Sequence, residues 1–194
     1  MLKALALRSL AGAALLTLPT LPAAAQQTAP AAAVDPFAGL PAAKAEDVAS
    51  IDSILAALYG TISGDVGQKR DWDRFRSLFY PGAKLVPTGT PKDSDVARAR
   101  MLTPEDYIAR SGPLLERIGF HETEIARKTD HFGHVAQIFS TYDGKPQSDE
   151  MPAIRGINSI QLFHDGKRWW IVNVFWMQES EKDPIPKAYL PAAR

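Results

Sequence analysis

The stretch Ile154-Arg155-Gly156-Ile157-Asn158-Ser159-Ile160-Gln161-Leu162-Phe163-His164, followed by Asp165-Gly166-Lys167-Arg168 and then Trp169-Trp170-Ile171-Val172-Asn173-Val174-Phe175-Trp176-Met177, decides the fold. Residue types alternate with a period of two along the first run, and β-branched and aromatic residues fill the second, so each is an extended strand. Asp165-Gly166 between them is a hairpin signal, because a tight turn needs a residue that tolerates positive φ. The same period recurs upstream at 120–129 and 134–142, with weaker turn signals at His131-Phe132-Gly133 and Asp143-Gly144-Lys145. The spacing predicts an antiparallel meander whose last two strands are 154–164 and 168–177.

Helical periodicity precedes the strands. Val48, Ile51, Leu55, Leu58 and Ile62, widened by Ile54 and Tyr59, predict a helix over 46–63, with Gly64 at the position after its end. Asp71 is placed to cap a second, short helix with Trp72, Phe75 and Phe79 on one face, and Pro81-Gly82 ends it before a brief strand at 83–86. The polar segment 88–102, with Pro91, Asp93 and Asp95, reads as a long surface loop of the kind that forms lids. Thr103-Pro104-Glu105-Asp106 places a cap, a first-turn proline and two early acids in order, which starts a third helix with Tyr107, Ile108, Leu114, Leu115 and Ile118 on its apolar stripe. Gly112-Pro113 predicts a kink or interruption in it, since Pro113 offers no N–H. Helices first and strands after is an α+β arrangement. The expected architecture is three N-terminal helices packed on a strongly curved antiparallel sheet that encloses an internal cavity.

Composition narrows the function classes. The chain has 194 residues, 45% hydrophobic and 23% charged, which suits one globular domain. Lys+Arg and Asp+Glu are 22 each, so no net positive field argues for nucleic-acid binding. Cysteine is absent, which excludes disulfides, thiol catalysis and Cys-ligated metals. Lys3 and Arg8, the apolar stretch Ser9 to Leu18 and the triplet Ala23-Ala24-Ala25 have the form of a signal peptide over 1–25. That stretch is too short for a stable membrane anchor, and Pro19 and Pro22 interrupt its end. Residues 26–45 are an Ala/Pro-rich leader expected to be flexible, with one apolar patch, Val34-Asp35-Pro36-Phe37 and Leu40, able to dock. The expected domain spans 46–179 and a tail spans 180–194. Together these segments predict an exported protein, periplasmic or secreted.

The chain resembles the nuclear transport factor 2-like (NTF2-like) superfamily of cone folds, which includes ketosteroid isomerase, scytalone dehydratase and SnoaL-like cyclases. The resemblance rests on Ile54 to Asp65, Trp72 to Leu85, Thr103 to Tyr107, Arg155 to Ser159 and Asp165 to Val172, in that order and spacing. It covers about Asp47 to Glu179. It implies the cone fold with a cavity and a sheet face that commonly meets a second subunit. It does not carry the isomerase residues across: the family's tyrosine position falls near Ala57, two residues from Tyr59, and its aspartate position lies within Leu85-Val86-Pro87-Thr88.

The candidate ligand-binding residues are Tyr59, Tyr107, His134, Asn158, Trp170 and Trp176. Asn158 stands on a strand parity with Ile154, Ile160 and Leu162, where a polar group is either a satisfied core hydrogen-bonder or a ligand contact. His134, expected in strand register with Ala136, Ile138 and Ser140, and Tyr59 are the weak candidates for acid–base catalysis. His131 and His134 lack a third ligand at a recognisable spacing, so neither metal nor cofactor is expected. Lys69-Arg70 and Arg98-Ala99-Arg100 read as solvated surface. Strict alternation places Trp170, Val172, Val174 and Trp176 on one face of the last strand and Trp169, Ile171, Phe175 and Met177 on the other. Both faces are apolar, which predicts a homodimer through the sheet, with the leader or tail as the alternative cover. The leading expectation is an exported cone protein binding a small, largely apolar molecule. The alternatives are a cofactor-independent dehydratase, isomerase or hydrolase, or a dimeric interaction module with a vestigial cavity.

Overall fold

The computed structural model describes residues 35–192. The signal-peptide assignment and the first part of the leader lie outside the described residues. The predicted first helix is two: α1, Ala45–Val48, and α2, Ile51–Ile62. Ser50 separates them because its extended backbone lets its hydroxyl accept from Ser53 N–H, while the Ser53 hydroxyl is an acceptor for Ser50 N–H. Asp71 accepts from Arg74 N–H and starts α3, Trp72–Arg76, as its spacing predicts. Arg74 reaches back to the buried Asp47 carboxylate at 2.7 Å, tying α3 to α1 and holding that carboxyl below its ordinary pKa.

Strand β1, Phe79–Gly89, is longer than the predicted 83–86, and Pro81-Gly82 lies inside it at an irregularity where Gly82 has φ 85°. The predicted surface loop folds back on this strand: β2, Arg98–Ala99, pairs with Thr88 and Gly89, and Leu102 bridges to Leu85. Helix α4, Pro104–Ile118, carries the Thr103–Asp106 capping box and continues through Pro113 without interruption. Gly112 has its own reason, since the Trp72 ring lies 3.1 Å from where a Cβ would stand.

Four long strands follow: β3, Phe120–Phe132; β4, Val135–Pro146; β5, Ile154–His164; and β6, Trp169–Gln178. The sheet order is β2-β1-β6-β5-β4-β3, antiparallel except that β1 lies parallel to β6. Asp143-Gly144-Lys145 is not a turn; it lies within β4, where Gly144 pairs with both Glu122 and Ile154. The β3–β4 turn is Gly133-His134, with Gly133 at φ 55°, so His134 stands in an exposed turn and not in strand register with Ala136. Bulges at Ile125 in β3 and Val172 in β6 add curvature to an open sheet folded around the helices.

The β6 bulge overturns the expected parity of the last strand. One extra residue at Val172 moves Trp169 and Ile171 to the same side as Val174 and Trp176. Trp170, Phe175 and Met177 then face outward. The core lies between α2, α3 and the inner sheet face, with Ile54, Leu55, Phe75, Ile138, Ile160 and Ile171 almost wholly buried.

Two segments lie on the outer face. Phe37 of the leader packs against Tyr80 and Trp170, and Arg168 stacks over the Trp170 ring. In the tail Ile185 is buried, and Tyr189 packs on Phe139 while its carbonyl accepts from Thr141 at 2.6 Å. Val172, Phe175 and Met177 remain partly exposed. Arg70 is likewise not solvated surface: its guanidinium is buried and donates to the carbonyls of Ile62, Gly64, Gln68 and Leu115. Gly64 leaves room for that guanidinium, which would lie 2.5 Å from a Cβ there.

Candidate functional site

Between α2, α3, α4 and the concave sheet face lies a cavity of about 190 Å³. A helical layer cannot follow the inside of a bulged, curving sheet along its whole length, so space remains at one end. Its wall is mostly aliphatic and aromatic, with Leu58, Ile62, Phe75, Leu115, Ile118 and Val174 among the lining residues. Into this apolar wall project Tyr59, Tyr107, Ser111, Glu122, Tyr142 and Asn158. Such a lining, apolar with a few placed polar groups, is that of a small-molecule site.

Among the described residues Glu122 is the only carboxylate in that lining. It stands two residues after Phe120 on β3 and so shares the inward parity of that buried ring. Its backbone pairs with the Ser63 hydroxyl, and among the described residues its carboxyl accepts one hydrogen bond, from Asn158 Nδ2 at 3.3 Å. Removal of the carboxyl from water raises its pKa from 4.5 to about 7, against the lowering effect of the Asn158 N–H. Glu122 and Tyr59 also border a shallower groove between α2 and β3, so the residue keeps some accessible surface while its carboxyl is enclosed.

Asn158, buried on β5, donates its other N–H to the Tyr59 hydroxyl at 3.1 Å. The Tyr59 hydroxyl in turn meets Ser140 Oγ at 2.6 Å, and Ser140 donates to Glu124, which Arg127 holds at 2.6 Å. Burial pushes the Tyr59 phenol far above its ordinary pKa, as it does those of Tyr107 and Tyr142, with the Glu122 carboxylate adding to the effect on each. All three phenols therefore act as neutral hydrogen-bonding groups. The hydroxyls of Tyr107 and Tyr142 have no hydrogen-bond partner among the described residues, and both residues line the cavity. Gly156 makes room for Tyr142, whose hydroxyl would collide with a Cβ at that position.

Of the residues singled out in the sequence, Tyr59, Tyr107, Asn158 and Trp176 line this cavity. His134 and Trp170 do not. His134 sits in its hairpin turn with Nδ1 against the His164 carbonyl at 2.8 Å, away from Tyr59, and Trp170 lies on the outer face. Sequence reasoning missed Glu122 and Tyr142. The available signal was an acid in phase with Phe120, but His121, Thr123 and Glu124 beside it are polar too, so nothing in the run shows which parity turns inward. Among the described residues no group of three His, Asp or Glu side chains is placed to hold a metal ion.

The fold is the NTF2-like cone. A candidate dehydratase from the NTF2-like family of Streptomyces avermitilis is similar over 69% of this chain and 96% of its own, with a TM-score of 0.52 at 10% identity. A Nostoc punctiforme protein of unknown function with a cystatin-like fold is similar over 68% and 90%, with a TM-score of 0.50 at 9% identity. An NTF2-like protein of unknown function from Shewanella baltica covers 68% of this chain and 92% of its own, at 15% identity and a TM-score of 0.45. No protein-family model matches the chain, and no curated protein matches it.

Proposed function

We propose that the chain binds a small, largely apolar molecule in the cone cavity and that Glu122 exchanges a proton with it, without a cofactor. The observation that carries this reading is one carboxyl, held among the described residues by a single hydrogen bond, in an apolar cavity shared with two phenol hydroxyls that have no partner there. A group with a pKa near neutrality is divided between its acid and base forms at the same pH, which suits it to give or take a proton. Tyr107 and Tyr142 would orient an oxygen of the bound molecule, and the aliphatic wall would hold its carbon skeleton. Dehydration, isomerisation and hydrolysis are the reaction classes that such a group serves. The similar protein from Streptomyces avermitilis being a candidate dehydratase agrees with the first of them.

We also propose that the protein is exported with residues 1–25 removed, on the strength of Lys3, Arg8, the apolar stretch and Ala23-Ala24-Ala25, and that the exposed patch of Val172, Phe175 and Met177 is a homodimer contact. Native mass spectrometry of protein expressed with its own N-terminus tests these points together. The expected species begins at Gln26, is dimeric, and carries a small molecule that Glu122→Gln still binds but no longer converts. A chain retaining Met1, a monomer, or a variant as active as the original would each refute the corresponding part.

A further inference from the structure

We propose that Glu124, which does not line the cavity, is a positioning residue: through Ser140 and Tyr59 it fixes which end of the Asn158 amide meets Glu122. Arg127 binds Glu124 through Oε1, with Nε at 2.7 Å and the second guanidinium nitrogen at 2.6 Å, an ion pair that leaves Oε2 to Ser140. A carboxylate only accepts, so the Ser140 hydroxyl must donate to it. Ser140 Oγ then receives its own bond from the Tyr59 hydroxyl at 2.6 Å. With its proton committed to Ser140, the Tyr59 oxygen accepts, and the group facing it at 3.1 Å must be Asn158 Nδ2. The second N–H of that amide points at Glu122. One ion pair thus sets the direction of every bond up to the cavity, and it leaves Asn158 Oδ1 without a protein partner among the described residues, as an acceptor for a ligand.

Glutamine at 124 would reverse the chain. Arg127 would take the single amide oxygen, the amide N–H₂ would face Ser140, and each hydroxyl would then donate the other way, ending with Tyr59 donating to Asn158 Oδ1, which requires the Asn158 amide to turn over. An Asn158 oxygen facing Glu122 favours the protonated carboxyl, the form able to donate to it. The groups that face Glu122 are Tyr59 from α2, Tyr107 from α4, Tyr142 from β4 and Asn158 from β5. Asp52, His121, Glu124 and Arg127 stand around the adjoining groove. A purely electrostatic effect of Glu124 therefore has the opposite sign, because removing its negative charge would ease the ionisation of Glu122.

The inference uses the functional reading of Glu122 only for its catalytic meaning, and its test needs no turnover. The Glu122 carboxyl would be titrated by carbon-13 NMR in the full chain, in Glu124→Gln and in Ser140→Ala. Both variants should raise its midpoint by about one pH unit, a tenfold change in proton affinity. The double variant should do no more than either alone. A lowered midpoint in Glu124→Gln with no change in Ser140→Ala would overturn the proposal and leave Glu124 a remote charge. A shifted midpoint combined with full activity of Glu122→Gln would instead refute the proton-transfer function and leave the positioning role standing.

Discussion

Replacing Glu122 by Gln should stabilise the folded protein at alkaline pH and leave it almost unchanged at acid pH. Below about pH 4.5 the carboxyl is protonated in both folded and unfolded chains, so its titration contributes nothing to stability. Between 4.5 and about 7 the unfolded chain releases its proton while the folded chain keeps it. The folded state then binds more protons, and stability falls as pH rises. Above about 7 the penalty is complete. At about 1.36 kcal/mol for each pH unit between the two pKa values, it amounts to about 3 kcal/mol. Glutamine has the shape of the neutral acid and accepts the same Asn158 N–H, so the variant escapes the penalty. Chemical denaturation of both proteins from pH 4 to pH 9 measures the difference directly, since every other titrating group is common to the pair. The advantage of the variant should climb from near zero to about 3 kcal/mol, equivalent to roughly 6–12 °C in Tm for a domain of this size. A difference that stays flat with pH would refute the assignment of Glu122 as a desolvated carboxyl, and with it the site built around it.

Gly156→Ala should lower stability by about 1–3 kcal/mol, because its Cβ would collide with the Tyr142 hydroxyl and the Met177 carbonyl. Thermal unfolding checks this, and loss in the same variant of a small molecule that the unaltered protein carries would place Tyr142 on the ligand. Ending the chain after Glu179 should remove about 3 kcal/mol by withdrawing Ile185 and Tyr189 from the outer sheet face. Sedimentation of the truncated chain should also show association beyond a dimer, whereas unchanged stability and size would mean that the tail covers nothing of consequence.

Local signals were legible where one residue type has one job. The Thr103-Pro104-Glu105-Asp106 run starts α4 because hydroxyl, ring and carboxylate each satisfy an otherwise unpaired N–H or need none. Asp71 opens α3 and Asp165-Gly166 turns β5 into β6 for reasons equally local. The order of these elements was enough for an α+β cone, and the parity of β5 was enough to bring Asn158 to the inside. Three things waited for the tertiary structure. A bulge at Val172 inverts the faces of β6, and no local pattern marks it, since Val172 is as good a strand residue as its neighbours. Its position is set by pairing with β5 and β1, contacts distant in sequence. The role of Arg70 depends on carbonyls from α2 and α4 converging on it, which its charged neighbour Lys69 gives no hint of. The chemistry of Glu122 depends on what surrounds it. Its identity as an acid is written in the chain, but a carboxyl acquires a pKa near 7 only when Asn158, three tyrosines and an aliphatic wall close around it in place of water.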